Sequence, residues 1–423
     1  MYEDINIGDE FVTQGRTITE ADLVFFAALT GDFNPIHIDE EFSKEKSIYK
    51  TRVVHGLLLL SLAEGLKEIS TNAWNLYENY GNEFPLYRAH GSEKWVTSKG
   101  EHWMEGFYAG LLYKAYEFTK EDKFLGAGLK ITEQIISSRV PITHDIGFKF
   151  YYSAVAGYNL TGDNKFKSVA LKMASELADT FNPNLGAIPL GREFAAYFPG
   201  EPPSQANNEF IIDAMMASIP LLLWAWTMTS EPKYYYIAYI HSMRTFDLMV
   251  RSDFSSYQAA FLDVSSLSLN KHTHQGSSNE STWSRGQAWA IYGFLEMYKH
   301  THLDFFKNVS LRMADYFLNH LPQDYIPPYD FSESTNTGAA RDTSAAAIAG
   351  SAITQLSLLT GNNPLLEKSV EIARALTSPD YFSSGRLLHS RYREDQGKDA
   401  ELIFGDYYLV ELLLELWRYG VKK

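Results

Sequence analysis

TGDNKF, residues 161–166, stands between two runs rich in Ala, Leu, Tyr and Phe. Four other stretches resemble it: TKEDKF at 119–124, TSEPKY at 229–234, THLDFF at 301–306 and TGNNPLL at 360–366. Each follows one amphipathic run and precedes another. Gly162 and Gly361 suit the left-handed residue that closes a helix, because glycine has no Cβ to clash there. The Asp, Asn or Ser nearby can cap the next helix, and Pro232 and Pro364 suit its first turn, where an N–H would go unused. Recurring at intervals of roughly 40 to 70 residues, these turns predict stacked helical hairpins and an all-α fold class. The stretches 182–209 and 251–284 carry Gly, Pro, Asn and Ser and read as long loops. They should gather at one end of the array, where function usually sits.

Before residue 67 the texture changes. RTITEADLVFFAALTGDFNPIHIDEEF at 16–42 reads as a capped helix over 19–29 followed by a polar turn, and VVHGLLLLSLAEGL at 53–66 as a second, very apolar helix. No repeat turn occurs there. The expected boundary lies at 66 or 67, dividing the chain into 1–66 and 67–423, with room for a helix over 57–80 to run across it.

The 423 residues are 45% hydrophobic and 14% aromatic, with 27 Tyr, 26 Phe and 8 Trp, enough for a large core and for stacking on a ligand. A net charge of −15 disfavours nucleic acid or an anionic membrane as partner, since an acidic surface releases no counterions from either. The absence of cysteine excludes disulfides and thiolate metal sites. The acidic start, MYEDINIGDE, has no basic and apolar leader. The longest apolar stretch, MMASIPLLLWAWTM at 215–228, is short for a spanning helix and contains Pro220. The expectation is a cytoplasmic protein with no membrane and no nucleic-acid partner; composition sets no oligomeric state.

THDIGFKFYYS at 143–153 and FIIDAMM at 210–216 each place one aspartate in an otherwise apolar, helix-compatible run. Burying a lone carboxylate is costly unless it is paired, hydrogen-bonded or used. Asp145 and Asp213 are therefore candidates for a carboxylate pair lining one cavity, as in many sugar hydrolases; the plainer readings are a helix N-cap or a buried ion pair. In SSNESTWSRGQAWAIYGF at 277–294, Arg285 and Trp289 are four apart and share a helix face. Trp283, Arg285, Gln287 and Trp289 suit a sugar acid, Arg for its carboxylate and Trp for its ring face, although an Arg stacked on Trp also serves simple packing. HTHQG at 272–276 offers His272, His274 and Gln275 on a loop. The two histidines alone allow a metal site, but no third ligand stands at a recognised spacing, so neither a metal nor a cofactor is expected. ARDTSAAAIAGSAITQL at 340–356 has a small-residue face, with Arg341 and Asp342 read as a structural pair at its start. FGDYYLVELLLEL at 404–416 is a closing helix in which Asp406 caps or pairs, while Tyr407 and Tyr408 either reach the cavity or pack.

HDIGF, FIID, HQG with RGQAW ten residues beyond its Gln, RDTSAAAIA and GDYY occur in this order. With them, residues 67–423 resemble the unsaturated glucuronyl hydrolases, family 88 of the glycoside hydrolases. The resemblance implies an (α/α)6 barrel and an oligosaccharide substrate ending in a 4,5-unsaturated uronic acid left by a polysaccharide lyase. It also implies hydration of the vinyl ether double bond, after which the hemiketal opens and releases the sugar. By motif match Asp213 is the general acid/base and Asp145 binds the sugar hydroxyls and supports the developing charge. His144 flanks them, Gln275 and Arg285 contact the substrate, and Trp289 walls the pocket. Tyr108, after Phe107 in the early W..GF motif, stands where Trp is usual and is carried over as a substrate contact. Gln258 stands where the family has His, and no Trp follows GAI at 186–188. Gln287 in RGQAW, where the related unsaturated rhamnogalacturonyl hydrolases usually have Asn, favours the glucuronyl branch; the alternatives are that related activity or a non-catalytic sugar-binding barrel.

GDFNPIHIDEEF at 31–42 and VVHGLLLLSLAEGL resemble the MaoC-type enoyl-CoA hydratases of the hot-dog fold. That resemblance implies a hydration dyad of Asp32 and His37 with Asn34 beside them, and it stops near 66. A partial hot-dog fragment without its remaining strands is expected to be non-catalytic, the alternative being acyl-CoA hydratase activity.

Overall fold

All five quoted turns join two helices. After α1 (Glu40–Lys46) and α2 (Gly56–Tyr80), the first pair is α3 (Glu105–Thr119) with α4 (Asp122–Ser137). The second begins with α5 (Ile146–Phe150), a π-helical turn over Tyr151–Val155 and α6 (Ala156–Thr161), and returns as α7 (Asn164–Ala178). A short α8 (Ala214–Ala217) leads into α9 (Ile219–Thr229) with α10 (Pro232–Met249). Then come α11 (Ser284–Thr301) with α12 (Asp304–Asn319), α13 (Thr343–Thr360) with α14 (Asn363–Leu376), and the closing α15 (Ile403–Lys422). The computed structural model describes residues 35, 39–46, 56–191, 193–194, 206–263, 266, 268–333, 338–393 and 396–422. The helix expected over 19–29 and the Asp32, Asn34 and His37 cluster lie outside them.

The residue closing the first helix of each pair is left-handed: Lys120 (φ 59°), Gly162 (73°), Ser230 (58°), His302 (55°) and Gly361 (67°). Glycine explains two of the five. The common element is the threonine just before. Thr119, Thr161, Thr229, Thr301 and Thr360 donate their hydroxyls to the carbonyls of Ala115, Gly157, Ala225, Met297 and Leu356, at 2.9 Å in the first and 2.7 Å in the rest. The first four also accept the N–H two residues on at 3.2 Å. One hydroxyl thus links the end of one helix to the start of the next and holds non-glycine residues in a conformation that costs about 1–2 kcal/mol. Ser230→Gly is expected to stabilise the protein by up to about 1 kcal/mol, read as a higher urea midpoint; an unchanged or lower midpoint would show that Ser230 carries no strain.

Burial separates two helix layers. On α11 every residue from Ser284 to Met297 is buried, and on α13 every residue from Thr343 to Thr354. Their partners bury a single stripe each: Phe306, Val309, Met313 and Phe317 on α12, and Leu365, Ser369, Ile372 and Leu376 on α14. A helix apolar all round is an inner element, and one with a stripe spaced by three and four residues lies outside it. Residues Gly65–Leu413 form one unit, and the described residues before and after it belong to another, so α2 extends across the boundary expected at 66 or 67.

The all-α expectation is incomplete. Three small antiparallel sheets occupy the connections: β1 (Phe84–Ala89) between β2 (Val96–Ser98) and β8 (Ala400–Leu402), then β3 (Glu209–Ile211), β4 (Ala259–Asp263) and β5 (Ser268–His272) side by side, and the β6–β7 hairpin (Phe382–Ser383, Arg386–Leu387). FIID, read as helix-compatible, is the end of strand β3; periodicity does not separate helix from strand in so short an apolar run. Among the described residues no helix is long and apolar enough to cross a membrane.

Candidate active site

Asp145 and Asp213 each occupy the N-cap position of a short helix, α5 and α8, yet neither side chain bonds a helix N–H. The capping explanation for a buried aspartate therefore does not apply. Their backbones meet because Gly147 has no side chain: a Cβ there would lie 2.0 Å from the Ala217 carbonyl oxygen. The Ser218 hydroxyl, donating to the His144 carbonyl at 2.8 Å, ties the two segments again. Ile212 N–H donates to the Gln258 carbonyl at 2.8 Å, so Asp213 leaves a fixed strand end.

Between them sits His144, buried and with its own N–H bound to the Leu190 carbonyl at 3.1 Å. Burial pushes its imidazole below the usual histidine range, so it is neutral. Its Nδ1 lies 3.1 Å from the same Leu190 oxygen and therefore carries the proton, which leaves Nε2 as an acceptor facing Asp145 Oδ1 at 3.2 Å. Burial raises Asp145 to about 8, so at neutral pH its carboxyl is protonated and donates to that nitrogen. Asp213 is raised to about 6, chiefly by burial; His144 opposes this, the neighbouring Asp145 adds to it, and Arg285 opposes it. Asp213 Oδ2 is buried and makes no hydrogen bond among the described residues. A protonated carboxyl and a second one that takes up and releases its proton near pH 6, beside a neutral imidazole, are equipped for acid/base work.

Aromatic rings cluster on Phe148, on the helix that Asp145 begins. Trp289 lies 5.0 Å from Phe148, one turn from Asp145, and 6.1 Å from Phe404. Trp103 lies 5.2 Å from Phe148 and 5.3 Å from Phe404, with Tyr392 at 6.4 Å. The loop bearing Trp103 is fastened by a buried ion pair. Lys149 Nζ is 2.8 Å from Glu105 and donates to the Gly100 carbonyl at 2.7 Å. Glu105 accepts from the N–H groups of Gly100 at 3.0 Å and His102 at 2.8 Å, and from the Ser98 hydroxyl. Sequence reasoning passed over Trp103, Tyr392 and this ion pair. The signal was present: Glu105 and Lys149 are charges set in the apolar runs WMEGF and DIGFKF.

Gln275 donates to the Tyr392 carbonyl at 3.2 Å and accepts from Gln258 Nε2 at 2.9 Å. Gln258 also accepts from Thr273 Oγ1, His274 N and Gln275 N at 2.5, 2.8 and 2.9 Å, so this residue organises the HQG loop. Arg285 is 1% exposed and stacks over Trp283, with its guanidinium carbon 4.6 Å from the ring centre. It bonds Asp342 and the carbonyls of Arg391 and Tyr392. Asp342 also caps α13, while Arg341 pairs with Asp324 at 2.8 Å, so the expected Arg341–Asp342 pair does not form. Tyr108 is not brought to the carboxyls. It is fully buried, burial raises its hydroxyl with Tyr77 on α2 adding to the effect, and Phe107 beside it is the ring that stacks on Tyr152 at 4.3 Å. Gln287 spans from α11 to the carbonyls of Phe254 (2.8 Å) and Met313 (3.1 Å), a packing role. Asp406 accepts from Leu387 N–H at 2.9 Å, and Tyr407 and Tyr408 pack in the core, bonding Glu411 and Tyr152. His272 and His274 gain a neighbour that their spacing did not offer, Glu209 on β3.

The glycosyl hydrolase family 88 model matches residues 82–320, and the MaoC-like domain model residues 4–81. The chain is 30% identical over 359 residues to the unsaturated glucuronyl hydrolase of Bacillus sp. strain GL1, covering 81% of this chain and 93% of that protein. The crystal structure of the Bacillus sp. GL1 enzyme, responsible for the degradation of glycosaminoglycan, superposes with a TM-score of 0.76 at 27% identity, over 85% of this chain and 97% of that one. A mutant unsaturated glucuronyl hydrolase from Streptococcus agalactiae complexed with dGlcA-GalNAc6S superposes with a TM-score of 0.70 at 26% identity, over 85% and 92%. The N-terminal region is 44% identical over 82 residues to protein MaoC of Klebsiella aerogenes, spanning 19% of this chain and 24% of that protein.

Proposed function

The chain belongs to glycosyl hydrolase family 88, and from that membership we propose how its site works. It is a glycoside hydrolase, an unsaturated glucuronyl hydrolase that releases a terminal 4,5-unsaturated uronic acid from lyase-generated oligosaccharides by hydrating the vinyl ether double bond. The observation that carries the assignment of roles is the raised proton affinity of Asp213, whose buried Oδ2 has no hydrogen-bond partner among the described residues. Asp213 protonates C4 of the unsaturated ring and then takes a proton from the water that adds to C5. Asp145, whose proton is held by His144 Nε2, accepts from the ring hydroxyls. Trp103, Phe148 and Trp289 wall the sugar and exclude water. The hemiketal formed at C5 opens and the aglycone leaves.

An (α/α)6 barrel is supported by the alternation of inner helices with striped outer ones, and residues 67–423 are read as the catalytic domain. Residues 1–66 are read as a MaoC-like fragment without turnover of its own, since the chain spans about a quarter of the Klebsiella protein; hydration of crotonyl-CoA by the intact chain would overturn that part. The function is tested by following the ultraviolet absorbance of unsaturated chondroitin, hyaluronan and rhamnogalacturonan disaccharides. Loss of absorbance with the first two is expected. Loss with the rhamnogalacturonan disaccharide alone would move the chain to the related branch, and loss with none would leave a sugar-binding barrel.

A further inference from the structure

We propose that Glu209, His272 and His274 form a binding site for a divalent transition-metal ion of the zinc type. Sheet β3–β4–β5 builds it. Ile211, Ala259 and His272 lie in one cross-strand row, Glu209 stands two residues back on the same face of β3, and His274 is on the loop just beyond β5. Glu209 Oε1 is 2.9 Å from His272 Nε2 and 2.5 Å from His274 Nε2, and the two rings meet at 75° with centres 5.0 Å apart. The three donor atoms lie within 4.8 Å of one another.

Zinc bonds of about 2.0–2.2 Å in a tetrahedral site hold ligand atoms about 3.4 Å apart. Withdrawal of the Glu209 oxygen by less than about 1 Å therefore opens the position. Both imidazoles must then present Nε2 as a lone pair, with the proton on Nδ1. Two imidazole nitrogens with one carboxylate favour zinc or its first-row neighbours over magnesium or calcium, which take oxygen ligands. The site is open on its histidine side: the Glu209 side chain is 2% exposed, His274 11% and His272 29%, leaving a fourth position for water.

The surroundings hold the donors in place. Gln258 accepts from the His274 N–H at 2.8 Å and from Thr273 Oγ1, fixing the loop on which His274 stands. An ion here would take no part in bond making. It would fasten the strand that runs, four residues on, to Asp213 to the loop that carries Gln275.

Among the described residues His90, His389 and Asp399 make a second such group, on the surface, and serve as the control. The experiment titrates zinc chloride into the full chain after dialysis against a chelator, by calorimetry, and records the visible spectrum with cobalt(II). One ion per chain is expected, with a four-coordinate cobalt spectrum. Glu209→Gln and His272→Ala should each weaken binding about tenfold or more, and His389→Ala should leave it unchanged. His272 is part-exposed, so its variant stays informative even where Glu209→Gln fails to fold. No stoichiometric binding, or binding lost in His389→Ala and kept in His272→Ala, would overturn the site.

Discussion

Asp213→Asn is expected to lower kcat on an unsaturated chondroitin disaccharide by about 10²–10⁴-fold, the range that a positioned general acid supplies, with the far-ultraviolet circular dichroism unchanged. The amide is isosteric with the carboxyl, so the backbone bonds around position 213 persist; what disappears is the proton. The sign of the pH effects follows from the raised value. A carboxyl at about 6 in the folded chain, against an ordinary 3.8, makes the folded state bind more protons than the unfolded one. Stability from this group is then present below 3.8 and lost as pH rises through about 6, where the buried charge appears. Asp145 extends the same trend to about 8. The Asn variant lacks the Asp213 part and should be at least as stable as the parent at alkaline pH. In the parent, kcat/KM should fall as pH rises through about 6, the range in which free Asp213 gives up its proton. Undiminished turnover in Asp213→Asn would remove Asp213 from the chemistry.

The helical frame was legible because the five turns repeat one physical device, although glycine and proline accounted for only part of it. The threonine bridge was visible as a repeated letter and was not read as a hydroxyl with two partners. The carboxyl pair was legible for a sound reason, the cost of burying an isolated aspartate in THDIGF and FIIDAM. What sequence spacing does not show is which residues a sheet brings together. Glu209 meets His272 only because β4 lies between their strands. Trp103 reaches Phe148 through the Glu105–Lys149 pair, two charges 44 positions apart that look unrelated in the chain. Tyr108 shows the converse error: a helix position one residue from Phe107 turns about 100° away, toward α2.

Arg285→Met is expected to cost about 3–5 kcal/mol in stability, the range for removing one partner of a buried ion pair. The reason is where the guanidinium stands. The resemblance makes Arg285 a contact for the substrate, and three of its five N–H donors are already used within the protein, on Asp342 Oδ2 at 2.6 Å, Arg391 O at 2.6 Å and Tyr392 O at 2.7 Å. Methionine fills the volume and leaves the Asp342 carboxylate, itself fully buried, without its cation. Lysine keeps the charge and lacks the planar fork that bridges a carboxylate and two carbonyls, so Arg285→Lys should recover only part of the loss. Asp342→Asn combined with Arg285→Met should be markedly less than additive, since the double variant buries no unpaired charge. Urea denaturation reads these differences, and KM reads the remaining donors. If Arg285 also holds the uronate, Arg285→Lys raises KM beyond what its stability explains. A variant of parental stability whose only defect is a raised KM would make substrate binding the whole of its role. The wall residue Tyr392, whose carbonyl Arg285 holds, would then need another anchor.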